Sequence, residues 1–284
     1  MWNKHAETFL GCDKEYRQAG IVMFGAPFDS TTSYRPGARF ASREMRMHSF
    51  GLETYSPYQA RDLCDDASVF DAGDLELCFG EPQTALTDIE TAAAQILKDG
   101  KLPVMIGGEH LVTLGAVRAI LAHYPDLHIV HFDAHADLRD HYLGAKLSHA
   151  TVMRRCHDLI GDKKIFQFGI RSGEREEFSF AKDHCFQQKF TFFGLHRLFE
   201  KLADKPVYFT IDLDVLDAAV FPGTGTPEAG GVSFLELIDA IQDVCQLRIV
   251  GCDLCELSPV YDQSGCSTAT ACKVLRELLL ALKT

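Results

Sequence analysis

The feature that most constrains this chain is a run of three potential metal ligands, Asp133, His135 and Asp137, which directly follows the apolar stretch Leu127–Val130. In an extended segment, side chains two and four residues apart lie on one face, so these three groups can converge on one point. A second strand-like stretch, Ile211–Asp214, carries two carboxylates at the same spacing. Because inward-facing carboxylates need a compensating positive charge, the two patterns predict a two-metal hydrolytic centre.

Short apolar runs alternate with helical patterns along the chain. The predicted strands are Ile21–Phe24, Ser68–Asp71, Leu102–Ile106, Leu127–Phe132, Lys164–Phe168, Val207–Ile211 and Arg248–Cys252. Several runs are continuously apolar, which is typical of a parallel sheet covered by helices on both faces. A capping box from Thr87 to Glu90 predicts the start of a helix that ends at Gly100. Since no linker or repeat interrupts the chain, we predict one α/β domain, residues 1–284.

The candidate ligands all fall at or just after the ends of predicted strands, where open parallel sheets bind their ligands. They are His110, Asp133, His135, Asp137, Asp212 and Asp214, with Glu256 in an equivalent position. Four carboxylates and two imidazoles suit two divalent cations of intermediate hardness, with manganese ahead of zinc or iron. Two such ions, roughly 3.5–4 Å apart, would lower the pKa of a shared water from about 16 towards 7.

Composition and charge exclude several classes of partner. The net charge of −12 argues against nucleic acid, which requires a basic face, and is compatible with a cationic substrate. No apolar run approaches the roughly 18 residues that span a membrane. Met1–Gly20 reads as an edge segment or arm and lacks the pattern of a secretory signal. We read the ten cysteines as reduced thiols, so the expected location is the cytoplasm.

Three motifs together resemble the manganese-binding pattern of the ureohydrolases. They are Gly107–His110, Asp133–Asp137 and Asp212–Asp214. This family contains arginase, agmatinase and relatives that release urea from guanidino compounds, and the resemblance extends from Gly25–Asp29 to Glu256–Pro259. It implies a three-layer α/β/α arginase-like fold with a mainly parallel central sheet, assembled as a homo-oligomer of three or six chains.

The resemblance also implies two Mn²⁺ ions per subunit. One ion would be bound by His110, Asp133, Asp137 and Asp212, and the other by Asp133, His135, Asp212 and Asp214. Asp133 and Asp212 would bridge the two ions. By the same resemblance, a hydroxide between the metals attacks the guanidinium carbon, and Asp137 relays its proton to the leaving amine.

Three further residues receive roles from the resemblance. His149, in the segment Ser148–Thr151, would shuttle protons or position the substrate, although taken alone it reads as a loop histidine. Glu256 would pair with the substrate, because a carboxylate can accept two parallel N–H bonds from a guanidinium group. Thr226 lies in a Gly-Thr-Pro stretch that lines the site and would help to bind the substrate.

Two loops favour agmatine over arginine as the substrate. Leu138–Gly144 differs from the Asn/Ser-rich arginase form, and Ser172–Glu174 lacks the aspartate pattern of arginases. Both loops, and Pro222–Glu228, look like agmatinases. The prediction is therefore hydrolysis of agmatine to putrescine and urea, with N1-aminopropylagmatine, guanidinobutyrate or arginine as alternative substrates.

Two other classes of protein stay open at this point. One is a metal-dependent amide hydrolase or deacetylase on a related fold, against which Glu256 argues. The other is a metal-binding regulatory protein without activity, which is disfavoured because no ligand position is substituted. A zinc site at Cys252 and Cys255 is also conceivable, but the pair lies in an apolar strand.

Overall fold

A sheet of parallel strands forms the centre of the protein. The computed structural model describes residues 8–283, and within that range the strands are β1 (Ile21–Gly25), β2 (Tyr55–Ser56), β3 (Arg61–Asp62), β4 (Val69–Asp74), β5 (Leu102–Ile106), β6 (His128–Phe132), β7 (Ile165–Ile170), β8 (Phe186–Lys189), β9 (Val207–Asp212) and β10 (Ile249–Cys255). Eight of them form one sheet in the order β4-β1-β5-β10-β9-β6-β7-β8, and every pairing within it is parallel. The remaining pair, β2 and β3, forms a small antiparallel hairpin.

Helices cover both faces of this sheet. Over the same described range they are α1 (Ala41–Ser49), α2 (Leu63–Asp66), α3 (Pro82–Lys98), α4 (Thr113–His123), α5 (Val152–Ile160), α6 (Arg175–His184), α7 (Arg197–Leu202), α8 (Phe234–Val244) and α9 (Cys266–Ala281). The apolar side chains of α3 to α6 join one buried cluster, and those of α1, α2 and α7 to α9 join the other. The three-layer α/β/α prediction is therefore confirmed, and the sheet is wholly parallel.

The two apolar clusters explain why the strand sequences read as continuous apolar runs. Successive side chains in a strand point to opposite faces, so both faces of a central strand must be apolar when helices cover both. In β9, Phe209 contributes to one cluster and Tyr208 to the other. The same alternation separates Cys252 from Cys255 in β10, and these two cysteines belong to opposite clusters. They are not arranged to hold one ion together.

Two helix and strand predictions need correction. The helix predicted to open at Thr87 begins five residues earlier, at Pro82. Glu81 caps it by accepting from the backbone N–H groups of Gln83 and Thr84, and a proline is pre-organised for the first helical position. The region between Ser172 and Pro206, where no element was predicted, contains α6, β8 and α7. Its strand Phe186–Lys189 is a partly exposed edge strand with three polar residues, which hides it from a search for apolar runs.

The N-terminal segment runs along the edge strand β4. Residues 1–7 of the predicted edge segment Met1–Gly20 lie outside the described residues. From there on, Asp13 forms an isolated antiparallel bridge with Phe70, and the Phe9 N–H donates to the Asp71 carboxylate at 2.9 Å. Among the described residues, no helix is both long and apolar enough to cross a membrane.

A buried ion pair connects α1 to the edge strand β4. Arg46 donates from Nε and Nη2 to the two oxygens of Asp71 at 2.8 and 2.9 Å, and it also contacts Asp74. The Arg46 side chain is only 7% exposed and that of Asp71 is fully buried. Such a bidentate pair is geometrically specific, and removing one partner leaves the other charge buried.

We therefore predict that Arg46→Ala lowers the free energy of unfolding by about 3 kcal/mol, because Asp71 keeps only backbone donors. Urea denaturation followed by circular dichroism measures the loss. Arg43→Ala is the matched control on the exposed side of the same helix, where we expect a change within about 0.5 kcal/mol. Equal losses in the two variants would contradict a role for the buried pair.

Candidate metal centre

Three predicted ligands and the predicted substrate-binding residue Glu256 converge at the carboxyl ends of four neighbouring strands. His110 follows β5, Glu256 follows β10, Asp212 ends β9 and Asp133 follows β6, and these four strands are adjacent in the sheet. All four side chains are buried, with exposures of 5% or less. The topology thus places residues that are up to 146 positions apart in sequence at one rim.

His110 lies among three carboxylates. Its Nδ1 is 3.1 Å from Asp133 Oδ2, 3.5 Å from Asp137 Oδ2 and 3.4 Å from Asp212 Oδ2. Burial alone would lower the pKa of His110, but these carboxylates raise it well above its usual value. The three carboxylates that the resemblance assigns to the same ion as His110 therefore all lie within 3.5 Å of its Nδ1.

The other nitrogen of His110 is held by a hydrogen-bond chain. Nε2 lies 2.8 Å from the Thr210 hydroxyl, which itself donates to the Asp253 carboxylate at 2.6 Å. Because the Thr210 proton is used on Asp253, this hydroxyl can only accept from His110, so Nε2 carries the hydrogen. The lone pair of a neutral His110 is then on Nδ1 and faces three carboxylates. The lone pair and the carboxylates repel one another, and either a proton on Nδ1 or a metal cation between them relieves that repulsion.

His135 forms a second group with Asp133 and Asp214. Its Nδ1 is 3.5 Å from Asp133 Oδ1 and 2.9 Å from Asp214 Oδ2, and its Nε2 is 3.7 Å from Glu228. Despite the short distance, Asp214 Oδ2 is a buried oxygen without a hydrogen-bond donor among the described residues. Asp133 contacts both histidines and so links the two groups. These observations fit a pair of cations that share Asp133.

A further histidine, His131, holds Asp133 in place through a hydrogen bond. Its Nε2 lies 2.8 Å from Asp133 Oδ2, and the Gln167 side-chain amide lies 3.0 Å from its Nδ1. The same amide donates to the Ala136 carbonyl at 2.7 Å, so it faces His131 with its NH₂ group. Burial lowers the pKa of His131, so the imidazole is neutral and donates from Nε2 to Asp133. Both of its nitrogens are occupied, so His131 positions Asp133.

The negative charges of the remaining acidic side chains are poorly compensated by their surroundings. Burial and the charge of Asp133 raise the pKa of Asp137 to about 7. Burial, with Asp214 and Asp133 nearby, raises the pKa of Asp212 well above its usual value. A divalent cation would reverse these shifts by favouring the ionised carboxylates. The donor set, the orphaned Asp214 oxygen and the orientation of His110 all fit a metal-binding centre.

The loop before His110 requires glycine. A Cβ at Gly108 would lie 2.0 Å from the Phe28 carbonyl oxygen, and one at Gly107 would lie 2.4 Å from Cys255 Sγ.

Two site residues have left-handed backbone conformations, which residues other than glycine rarely adopt. The angle φ is 52° at Asp137 and 67° at Glu256. Strained backbone of this kind costs about 1–3 kcal/mol and concentrates at functional sites.

Glu256 occupies a separate place beside the centre. Its Oε1 accepts from the His110 backbone N–H at 2.8 Å. Burial and the neighbouring Glu109 raise the pKa of Glu256 to about 8. Glu109 is itself buried and is held by the backbone N–H of Thr31 at 2.9 Å and by the hydroxyl of Thr32 at 3.1 Å. A cationic substrate group beside Glu256 would stabilise its ionised form.

A cavity of about 170 Å³ opens next to the metal-ligand candidates. Its lining includes His135 and Asp137 from the centre, and His149 and Thr226 from the other predicted site residues. His149 Nε2 contacts the Ser33 hydroxyl at 3.1 Å, and its ring packs edge-on against Tyr142. Burial and the nearby His135 lower the pKa of His149 to about 4, so its imidazole is neutral at pH 7. The neutral imidazole favours the substrate-positioning role, which is one of the two roles that the resemblance implies for His149.

The cavity rim is held by arginines that bind backbone carbonyls. Arg171 donates to the carbonyls of Asp214 at 2.6 Å and Glu228 at 3.0 Å. Arg35 donates to the Gly225 carbonyl at 3.0 Å, next to Thr226. Ser172 and Gly173, from the segment that lacks the aspartate pattern of arginases, line the cavity. The loops around the cavity are therefore fixed by specific hydrogen bonds.

Sequence reasoning missed the residues that position the ligands, although their pattern was present. His131 and Thr210 each lie two residues before a predicted ligand, Asp133 and Asp212, and so share its face of the strand. A polar residue in a strand that is buried on both faces needs a hydrogen-bond partner. Asp253 is likewise a polar residue in a strand buried on both faces, near the middle of β10. It accepts hydrogen bonds from the hydroxyls of Thr113, Tyr208 and Thr210.

The fold and the site together define an α/β/α protein with a candidate metal centre at the carboxyl edge of its sheet. The sequence profile of the arginase family matches residues 19–281. The agmatinase of Bacillus subtilis is 46% identical over 278 residues, with 96% of both chains covered. The chain therefore belongs to the arginase family, as the motifs predicted. Within it, this protein is an agmatinase-like ureohydrolase.

Solved structures agree with this assignment. A Clostridium difficile protein with 50% identity superposes with a TM-score of 0.91, covering 94% of this chain and 98% of the other. The agmatine ureohydrolase of Thermoplasma volcanium is 34% identical and superposes with a TM-score of 0.87, covering 97% and 94%. The arginase-like fold prediction is confirmed over nearly the whole chain.

The hydrogen-bond chain behind His110 generates a prediction. Thr210→Val removes the acceptor for Nε2–H and should weaken divalent-metal binding by about 10- to 100-fold, because His110 loses its fixed tautomer. Competition with a chromogenic chelator measures the change. Thr113→Val is the matched control, since Thr113 also donates to Asp253 but makes no hydrogen bond with the His110 ring. If both variants bound metal like the wild type, the chain would have no orienting role.

Proposed function

We propose that this protein hydrolyses agmatine to putrescine and urea with two Mn²⁺ ions, as one domain that assembles into trimers or hexamers. The observation that carries the proposal is the buried Glu256 carboxylate, which lies beside the cluster of His110, Asp133, Asp137 and Asp212. A centre of this kind needs an anionic group for the guanidinium and a separate set of ligands for the cations. The site offers both.

In this proposal, the metals are held by the two groups that share Asp133. His110, Asp133, Asp137 and Asp212 would hold one ion, and Asp133, His135, Asp212 and Asp214 the other. When bound, the ions supply a nucleophile at neutral pH by lowering the pKa of water. The contacts of His110 with three carboxylates, and of His135 with Asp133 and Asp214, support this assignment.

Glu256 would orient the substrate. A guanidinium ion is planar, and a carboxylate that accepts two parallel N–H bonds fixes that plane for attack on its carbon. Glu256 Oε1 already accepts a hydrogen bond from the His110 backbone N–H, which holds the carboxylate in place beside the candidate metal centre. Asp137 lines the cavity beside His110, so its carboxylate is placed to relay a proton to the leaving amine.

His149 and Thr226 would position the remainder of the substrate. Both residues line the cavity. Because the His149 imidazole is neutral at pH 7, it acts through hydrogen bonds rather than by donating a stored proton. Tyr142, from the loop that differs from arginases, packs against the His149 ring and restricts its orientation.

The charges that line the cavity favour agmatine over substrates with a carboxylate. Arg139 is the only permanently cationic side chain among the described lining residues. Its guanidinium group is already paired, with Glu177 at 3.2 Å and Glu174 at 3.2 Å, and it stacks on Tyr142. The carboxylate of arginine or guanidinobutyrate would therefore find no free cation there. Agmatine ends in an ammonium group and therefore avoids the cost of burying a carboxylate without a cationic partner.

A urea-release assay with Mn²⁺ and a panel of four compounds tests the substrate. We expect kcat/KM for agmatine to exceed that for arginine and guanidinobutyrate by about 100-fold or more, because their carboxylates would be buried without a partner. N1-aminopropylagmatine, which lacks a carboxylate, distinguishes charge from length. Equal rates for agmatine and arginine would refute the proposed specificity.

Glu256→Gln tests the division of roles within the site. The amide still accepts from the His110 N–H but lacks the charge that pairs with guanidinium, so kcat/KM for agmatine should fall by about 100- to 1,000-fold. Bound manganese, measured by mass spectrometry, should not change. Glu228→Gln is the comparison variant, because Glu228 is half-exposed, and we expect a loss below about tenfold. Loss of manganese from Glu256→Gln would make Glu256 a ligand instead.

A further inference from the structure

A second cluster of metal-ligand types lies outside the catalytic region. It consists of His157 in the last turn of α5, Asp162 in the following turn and His184 at the end of α6. Both helix ends lie on the side where the chain enters β7 and β8, opposite the carboxyl edge that carries the candidate metal centre. None of the three residues lines the substrate cavity.

The two imidazoles converge on a single carboxylate oxygen. His157 Nε2 lies 2.8 Å and His184 Nδ1 lies 2.6 Å from Asp162 Oδ1. One potential ligand atom from each of the three residues falls within 4.8 Å of the others. The ring of Phe180 stacks on His184 at 4.2 Å between ring centroids and packs edge-on against His157 at 4.9 Å. The phenyl ring thereby fixes both imidazole planes.

The local electrostatics favour a cation at this point. His157 and His184 each lie at the carboxyl end of a helix, where the helix dipole is negative. Hydrogen bonds from His157 and His184 lower the pKa of Asp162, so its carboxylate is ionised at neutral pH. His157 Nδ1 is buried without a hydrogen-bond partner among the described residues, and the nearby Asp158 Oδ1 lies 3.9 Å away, too far for a hydrogen bond.

We propose that His157, Asp162 and His184 form a zinc-binding site that links α5 to α6. Two imidazoles and one carboxylate are the ligands that Zn²⁺ prefers, with water in the fourth position of a tetrahedron. The Asp162 side chain is 62% exposed and that of His184 is 37% exposed, so the fourth position is open to solvent.

The geometry leaves room for the ion after a small movement. Metal–ligand bonds of about 2.0–2.1 Å place tetrahedral ligand atoms roughly 3.3 Å apart. The two nitrogens are 2.6 and 2.8 Å from Asp162 Oδ1, so the carboxylate must move outward by only about half an ångström. Asp162 is exposed and follows Gly161, whose φ of 85° places it in a turn.

Metal counting on the intact protein tests this site. Wild-type protein and the His157→Gln/His184→Gln double variant are equilibrated by dialysis against buffer with micromolar free Zn²⁺, and zinc per chain is measured by mass spectrometry. We expect the variant to bind one ion fewer per chain and to lose the zinc-induced rise in Tm. Zinc at the catalytic region contributes equally to both proteins, so the difference reports this site alone.

Two controls separate ligand loss from structural damage. Urea release with Mn²⁺ and without zinc should be unchanged in the double variant, and His123→Gln/His196→Gln removes two exposed histidines elsewhere and should bind zinc like the wild type. Asp162→Asn, which keeps both imidazoles, should weaken zinc binding at this site by about 10- to 100-fold. Equal zinc content in wild type and His157→Gln/His184→Gln, or binding only at millimolar zinc, would overturn the proposal.

Discussion

The structure depends on a concentration of buried carboxylates at the carboxyl ends of four adjacent strands. An uncompensated carboxylate in a dry interior is costly, and five of them cannot remain ionised together without cations. The raised pKa values of Asp137 and Glu256 and the orphaned oxygen of Asp214 express this cost. The two apolar clusters on either side of the sheet supply the stability that tolerates it. The sheet therefore serves as a rigid frame that holds like charges close together, and under the proposed function cations and a cationic substrate would compensate them.

Hydrogen-bond partners decide what each histidine at this rim can do. His110 and His131 both touch Asp133, yet they have opposite roles. Thr210 and Asp253 fix the hydrogen of His110 on Nε2 and leave Nδ1 available, whereas Gln167 occupies Nδ1 of His131 and directs its Nε2–H to Asp133. Distance alone would treat both as ligands. The donors and acceptors behind each ring distinguish a ligand from a positioning residue.

The sequence predicted which residues meet at the carboxyl edge of the sheet better than it predicted the periphery of the fold. These residues could be grouped because each follows an apolar run, and parallel topology brings strand ends together whatever their separation in sequence. The polar edge strand Phe186–Lys189 escaped detection because its half-exposed sequence has no continuous apolar run. The supporting residues Thr210 and Asp253 escaped because a polar residue inside a strand signals a hydrogen bond but does not name its partner. The neutral state of His149 could not be predicted either, since it follows from burial that only the fold creates.

Reaction and selectivity are separated in the structure. The residues that can activate and orient a guanidinium group project from strand ends, where backbone geometry is fixed by the sheet. The residues that face the remainder of the substrate come from loops, and there selectivity follows from a pairing already made. Arg139 is a cation at the cavity wall, and its positive charge alone would attract a carboxylate. Arg139 is already paired with Glu177 and Glu174 and stacks on Tyr142, so under the proposed function the wall would not bind a substrate carboxylate.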